Sequence, residues 1–231
     1  RRAAPAARMV LVPLVDGGEG TCRVLCEATG GTLVGARVVG PIGEPVEARF
    51  GFLGGGGPRT AVVEVAAAAG LRLVPPDRRD PTRTTTRGVG ELIRAALDAG
   101  AERVLVGCGD SGTQDCGAGA AQALGVRLLD ARGDDLGPGG RELLRLHRID
   151  TAGRDPRVGR VPVEVFCNWE SRLCGRDGVA ARFAAQKGAD DEEARLLEDA
   201  ACRFAEVVQR DLAIDLRDLP GGGASGGLGA G

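Results

Sequence analysis

The sequence has 231 residues, a hydrophobic content of 43% and a formal net charge of −2, which is enough to build a core in one large or two small domains. Acidic and basic residues are interspersed, and aromatic residues make up only 3% of the chain. This composition lacks the basic stripe and stacking aromatics of a nucleic-acid binder. No apolar run approaches the roughly 20 residues of a membrane span, so we expect neither nucleic acid nor membrane as a partner.

The seven cysteines are scattered along the chain, and His147 is the only histidine. No two cysteines form a CxxC pair, which argues against a zinc site of ordinary spacing. No secretory signal is visible. We therefore interpret the cysteines as reduced thiols and predict a cytoplasmic protein.

Hydrophobic periodicity and turn residues predict an alternation of strands and helices. Strands are predicted over residues 9–15, 32–39, 46–53, 60–65, 103–106, 126–129, 161–166 and 212–219. Helices are predicted over residues 88–99, 120–124, 180–185 and 190–210. The order strand, glycine turn, helix, strand over residues 103–129 favours an α/β fold with a parallel sheet and helical crossovers.

The glycine-rich segment 107–119, GCGDSGTQDCGAG, links a predicted strand to a predicted helix. Glycines let backbone N–H groups approach an anion, and a helix N-terminus adds positive potential. Ser111, Thr113, Gln114 and Asp115 add hydroxyl, amide and carboxylate groups to the same turn. The alternative interpretation is a tight connection that binds nothing.

Three further clusters rich in Gly, Ser, Thr and Asp occur at residues 16–21, 84–88 and 221–229. Each follows a predicted strand or opens a predicted helix. Converging N–H donors with carboxylates for Mg²⁺ are typical of phosphoryl-transfer sites. The chain has no GxxxxGK[ST] segment, so a P-loop enzyme is excluded.

A second use of the glycines also fits the spacing. Gly107, Gly109 and Gly112 match GxGxxG after a strand, and Asp130 follows about twenty residues later, as in NAD(P)-binding Rossmann proteins. However, the predicted helix does not start within these glycines, as that motif requires.

Several single residues have two interpretations each. Glu64 either points to solvent or faces a site, because strand residues alternate between faces. Thr85 either caps the following helix or contacts an oxyanion. Asn168 follows a strand, where α/β proteins place ligands, and Lys187 is either a cation at a helix end or a phosphate ligand.

Five motifs in the same order resemble the bacterial class I glycerate kinases along nearly the whole chain. Residues 12–21 read VPLVDGGEGT, where the family has VPxADGGEGT. Residues 60–93 are similar to its AAASGL and RxPxxxTTxGxGELI stretch, and residues 106–125 to its GGSATNDGGAGxxxALG. Residues 184–189, AAQKGA, correspond to GPQKGA, and residues 219–231 to PGAGAAGGxGA.

The resemblance implies transfer of the γ-phosphoryl group of ATP to a hydroxyl of D-glycerate, with Mg²⁺. It implies two α/β domains with the site between them. Residues 1–30 and the return at 215–231 would belong to a flavodoxin-like domain, and residues 31–214 to an inserted restriction-enzyme-like domain. We also expect the chain to be a fragment, because the family's opening strand, its lysine-bearing segment and its C-terminal part are missing.

On this resemblance we assign catalytic roles to Asp16, Glu19, Asp115 and Asn168, with Asp115 also contacting Mg²⁺. Residues assigned to substrate or nucleotide binding are Glu64, Thr85, Gly109, Ser111, Thr113 and Lys187.

The chain departs from the family pattern in two places. It has GDSGTQD where the family has GGSATND, which alters Asp110 and Gln114, and CNWESRL where the family often has CDVTNPL. Asn168 thus replaces an acid and cannot accept a proton as that acid would. The departures support an alternative hypothesis, a non-catalytic nucleotide- or metabolite-binding module.

Overall fold

The computed structural model describes Val10, residues 12–168 and residues 170–231. Its helices and strands are α1 (Thr21–Thr29), β1 (Thr32–Val39), β2 (Pro45–Phe52), β3 (Thr60–Glu64), α2 (Val65–Ala69), α3 (Arg87–Asp98), β4 (Arg103–Cys108), α4 (Ala118–Ala123), β5 (Arg127–Leu129), β6 (Arg148–Asp150), β7 (Val163–Cys167), α5 (Val179–Phe183), α6 (Asp191–Leu212) and α7 (Ala224–Gly227). The predicted α/β class is confirmed.

Five strands form the main sheet, in the order β1-β2-β3-β4-β7. Strands β1, β2 and β3 pair antiparallel, whereas β3, β4 and β7 are parallel. In this register Glu64 lies beside Gly107, and Cys108 lies beside Cys167. The carboxyl ends of the three parallel strands therefore meet at one edge of the sheet, where α/β proteins bind ligands.

Alternate residues of the central strands face opposite layers of helices. Val63 and Val106 are buried in the larger core, which α3 covers, whereas Val62 packs with Cys22 and Cys26 of α1 on the other face. This alternation is the two-residue period of a strand buried on both faces. It explains why β3 and β4 appear in the sequence as continuous apolar runs.

A second core lies beside the sheet and is organised by α6. Phe204 and Val208 of α6 pack against Leu143, Leu146 and Leu173. The helix begins with a capping box, in which Asp190 accepts hydrogen bonds from the backbone and Glu193 reaches back to the N-cap. The predicted helix over residues 190–210 is confirmed.

Two predicted strands, 9–15 and 212–219, are not found among the described residues. Of the predicted strand 9–15, Met9 and Leu11 lie outside the described residues, and 12–15 carry no strand pairing. The segment 212–219 is not a strand, because α6 continues to Leu212 and then ends at Ala213 in the left-handed region.

The strand after α4 does not join the parallel sheet, contrary to the prediction from the sequence. Strand β5 has three residues and pairs antiparallel with β6 in a separate two-stranded sheet. The parallel neighbour that follows β4 along the chain is β7 instead. The strand-helix-strand unit of a Rossmann dinucleotide site is therefore not formed, and Asp130 accepts hydrogen bonds from Arg132, Asp134 and Arg145.

Helix α1 and the C-terminal segment both pack onto the main sheet. Cys22 and Cys26 contact β3 on one face, and Ala224 and Leu228 belong to the larger core. The division into domains near residues 30 and 215 stays a prediction. Within the described part of the chain, no helix combines the length and apolar character needed to cross a membrane.

Candidate functional site

A cleft of about 340 Å³ opens at the carboxyl ends of β4 and β7. It joins parts of the chain that are far apart in sequence. Three of the four predicted polar clusters reach it, namely 16–21, 107–119 and 221–229, together with Asn168. The residues lining it include Asp16, Gly18, Gly109, Asp110, Ser111, Asn168, Ser171, Gln186, Lys187, Gly223 and Ser225.

Two backbone segments cross in direct contact at one wall of the cleft. A Cβ atom on Gly109 would lie 2.5 Å from the Cα atom of Gly18, closer than real side chains approach. Next to this crossing, Asp110 has a φ of 50° and accepts a hydrogen bond at 2.9 Å from the backbone N–H of Glu19. The glycines therefore allow the two segments to share one wall.

The same wall carries two carboxylates and an amide. The Nδ2 atom of Asn168 donates to Oδ2 of Asp16 at 3.0 Å, and the backbone N–H of Gly18 donates to Oδ1 of Asp16 at 3.1 Å. Asp16, Asp110 and Asn168 are all exposed to the cleft solvent. Each keeps oxygen lone pairs available for a ligand.

The opposite wall carries a buried cation. Lys187 is 3% exposed, and its Nζ donates to Oγ of Ser111 at 3.1 Å and to the carbonyl oxygen of Thr113 at 2.7 Å. Among the described residues, no carboxylate lies within ion-pair distance of it. Burial lowers the pKa of Lys187 to about 7, against the attraction of the Asp115 carboxylate. A buried ammonium that faces a cleft without a salt bridge is a candidate anion-binding group.

Asp115 has a different position from the one predicted. It is fully buried, and its Oδ2 accepts hydrogen bonds from the N–H and hydroxyl of Thr86 and from the N–H of Gly119, while Oδ1 accepts from Gly117. Burial raises the pKa of Asp115, against these donors. The carboxylate thus lies at the N-termini of α3 and α4, where a negative charge stabilises both helices. This placement argues against a role in holding Mg²⁺.

We expect Asp115→Asn to lower the free energy of unfolding by about 2–3 kcal/mol, because an amide cannot accept from four donors and its own N–H₂ would face some of them. Urea unfolding followed by circular dichroism measures the change. The matched control Asp134→Asn alters an exposed carboxylate and should shift stability by less than about 0.5 kcal/mol. Equal effects of the two variants would contradict the anchoring role.

Glu64 and Glu19 also lie apart from the cleft lining. Glu64 is 6% exposed, and its Oε2 accepts from the backbone N–H of Cys22 at 3.0 Å. It acts as the cap that α1 lacks at Gly20, and burial raises its pKa. The side chain of Glu19 pairs with Arg72 at 3.1 Å, so only its backbone N–H contributes to the cleft wall.

The two predicted threonines are separated from each other. Thr85 lines a second cavity of about 420 Å³ near α4 and β5, and its Oγ1 accepts from the backbone N–H of Arg87. Thr113 is fully buried, and it contributes its carbonyl oxygen to Lys187 rather than its hydroxyl. Five predicted residues therefore share the cleft, namely Asp16, Gly109, Ser111, Asn168 and Lys187.

The sequence analysis assigned no role to Ser171, Gln186 and Ser225, which also line the cleft. Ser225 lies in the predicted cluster 221–229 and Gln186 in the motif AAQKGA, so a signal for these two was present, whereas Ser171 has none. For Lys187, however, a stronger signal was available. It is the only lysine among the 30 lysine and arginine residues. The chain uses arginine at every other such position, which singles out position 187.

Comparisons with known proteins give one consistent result. The whole chain, residues 1–231, matches the family model described as the glycerate kinase family. It is 50% identical to a glycerate kinase of Bacillus subtilis over 97% of this chain and 58% of that protein. It is 46% identical to a glycerate 2-kinase of Escherichia coli over 98% of this chain and 59% of that protein.

A solved structure has the same fold. A crystal structure from Salmonella typhimurium LT2, of a protein described as glycerate kinase 2, superposes with a TM-score of 0.91 at 48% identity. The match covers 100% of this chain and 62% of that one. The chain thus spans about three fifths of the length of the relatives it matches.

Proposed function

Because the chain belongs to the glycerate kinase family, we propose that the protein carrying it transfers the γ-phosphoryl group of ATP to a hydroxyl of D-glycerate. The observation that carries this proposal is the buried ammonium of Lys187, which lines the cleft and forms no salt bridge in the described part of the chain. Both substrates are anions, and phosphoryl transfer depends on positive groups fixed in a site with little water. We propose that Lys187 and Ser111 bind anionic oxygens of the substrates.

The cleft residues also fit a magnesium ion. Mg²⁺ prefers hard oxygen ligands, chiefly carboxylates together with substrate phosphates. Asp16 and Asp110 offer carboxylate oxygens at the same wall, and we propose them as its holders in place of Asp115. When bound, the ion neutralises negative charge on the phosphoryl oxygens.

The hydroxyl of glycerate must lose a proton during transfer. Asn168 has no group that accepts one, but it donates a hydrogen bond to Asp16 at 3.0 Å. We propose that Asn168 orients Asp16 and that Asp16 accepts the proton as a general base. The replacement of the family's acid by Asn168 is then compatible with activity.

The relative from Escherichia coli is named glycerate 2-kinase, and on that ground we propose the 2-hydroxyl as the acceptor. We also propose a cytoplasmic location, since the seven cysteines form no disulfide in the described part of the chain and reduced thiols persist in reducing compartments.

Release of ADP from MgATP, measured in a coupled assay with and without D-glycerate, tests the proposal on the protein that carries this chain. We expect ADP release that requires D-glycerate, with a product that enolase consumes directly, as 2-phosphoglycerate is. A product that enolase consumes only after a mutase has converted it would identify the 3-hydroxyl as the acceptor. ATP binding with no turnover would favour the non-catalytic module instead, and a gain of turnover in Asn168→Asp would then identify a decayed enzyme.

A further inference from the structure

Two thiols and a carboxylate meet away from the cleft, between α6 and the loop over residues 170–178. Cys174 comes from the loop, whereas Glu198 and Cys202 lie four residues apart on α6 and so share one face of the helix. The two Sγ atoms and a carboxylate oxygen all lie within 4.8 Å of one another. The lack of a CxxC pair argues only against zinc sites of ordinary spacing, and this cluster is assembled by the fold.

The carboxylate of this cluster is incompletely satisfied. Oε1 of Glu198 accepts from the backbone N–H of Gly175 and from Sγ of Cys202. Oε2 is buried and has no hydrogen-bond partner in the described part of the chain. A buried carboxylate oxygen without a donor is costly. An ion at the centre of the cluster would satisfy it.

The charged side chains around the cluster do not neutralise the carboxylate of Glu198. Asp199 lies near Glu198 and adds negative potential, while Arg217 lies near Cys174 but pairs with Asp215 at 2.9 Å. Burial raises the pKa of Cys174 to about 12 and also raises the pKa values of Glu198 and Cys202. Protons therefore occupy the thiols in the absence of a metal, and a metal would displace them.

We propose that Cys174, Glu198 and Cys202 bind a thiophilic divalent cation of the zinc class. Two thiolates and a carboxylate are ligand types that Zn²⁺ accepts, and three protein ligands leave one position of a tetrahedral ion for water. Cys174 is 7% exposed, and the other two residues are half-buried, so the ion reaches the site from solvent.

This site has a structural consequence for the cleft. The loop that supplies Cys174 also carries Ser171, and Asn168 precedes that loop closely along the chain. Both residues line the cleft. Gly175 in the same loop already binds Glu198. The ion would fasten this loop to α6 and so hold both cleft residues in place.

Cobalt titration of the reduced, metal-free protein tests the proposal, because Co²⁺ bound to thiolates absorbs strongly in the near ultraviolet. We expect one Co²⁺ per chain with this absorption, displaced by Zn²⁺. We expect Glu198→Gln and Cys202→Ser to bind at least about tenfold more weakly. Zn²⁺ should also raise the Tm of the unmodified protein by several degrees and raise that of Cys202→Ser by clearly less.

Cys26→Ser serves as the matched control, since Cys26 is a buried thiol on α1, outside this cluster. It should bind Co²⁺ as tightly as the unmodified protein. Equal binding by all three variants would overturn the proposal. A fully reduced protein that binds no Co²⁺, but loses two thiols on mild oxidation, would replace the metal site by a redox pair. Neither readout depends on kinase activity, so the two proposals fail independently.

Discussion

Replacing Lys187 with Met is expected to lower kcat/KM by about 10²–10³-fold and, in the same protein, to raise the stability of the unliganded state. The ammonium is buried with only two neutral oxygens as partners, at 3.1 and 2.7 Å. Methionine has a similar shape and needs no hydration, and replacing poorly compensated buried charge with an apolar side chain stabilises by about 1–4 kcal/mol. Steady-state kinetics and urea unfolding give the two quantities.

The pH dependence has a definite sign. Burial lowers the pKa of Lys187 to about 7 in the folded protein, whereas an unfolded lysine titrates near 10.4. The cost of the buried charge is therefore fully present below about pH 7 and disappears as the pH rises towards 10.4. We expect the stability gain of Lys187→Met to be largest below about pH 7 and to vanish in alkaline solution.

Substrate binding should follow the same titration. Above about pH 7 the free enzyme carries a neutral amine, so binding an anion there requires uptake of a proton. The apparent affinity should then fall by up to about tenfold per pH unit. This pH dependence should disappear in Lys187→Met. As a control, Arg176→Met removes an exposed cation and should change neither activity nor stability appreciably.

A purely structural lysine would behave differently. Its removal would lower stability and activity together, and the pH profile of binding would keep its shape. That result would remove Lys187 from the anion site and, with it, the observation that supports the kinase proposal most directly.

The sequence predicts the central sheet well, because its strands have strong local signals. Strands β3 and β4 are continuous apolar runs that end at polar turns, and the 3.6-residue period of α3 and α6 is clear. Strand β5 was predicted as a strand but in the wrong sheet. Three residues carry no information about their partner, and pairing is decided by packing that the local pattern does not contain.

Site residues were predictable where chemistry and position agree. Asn168 and Gly109 directly follow strands whose carboxyl ends meet, so topology alone brings them to one edge. Asp115 belongs to the same glycine-rich turn as Ser111 but faces inwards, towards two helix N-termini. The composition of this turn is that of a ligand-binding segment. Only the three-dimensional path of the chain shows which of its side chains face the cleft.

The cleft retains features that cost stability. Asp110 has a positive φ, a conformation that disfavours residues with a Cβ atom, and Lys187 is buried with no salt bridge in the described part of the chain. By contrast, the buried carboxylate of Asp115 has hydrogen-bond donors on both of its oxygens. Strain and unpaired charge that coincide at one cleft are typical of functional sites.

Gly109→Ala is expected to lower both stability and activity, because the added methyl group would meet the backbone of Gly17 and Gly18 at a fixed crossing of two segments. Its Cβ would lie 2.5 Å from Cα and 2.7 Å from N of Gly18, and backbone atoms cannot rotate away as a side chain would. We expect a loss of about 1–3 kcal/mol in stability. We also expect at least about a 10²-fold loss in kcat/KM, since displacing the 16–20 segment separates Asp16 from Asp110.

Gly35→Ala is the matched control for this change. Gly35 lies in β1, where an added Cβ would have no atom within 4 Å, so alanine there should leave activity unchanged and stabilise by about 0.5–1 kcal/mol. Kinetics and urea unfolding of both variants separate a local clash from a general intolerance of alanine for glycine. If Gly109→Ala kept its activity within about threefold of the unmodified protein, the contact between the two segments would not be what aligns the carboxylates. The proposed arrangement of Asp16 and Asp110 around one ion would then have to be abandoned, since it depends on that contact.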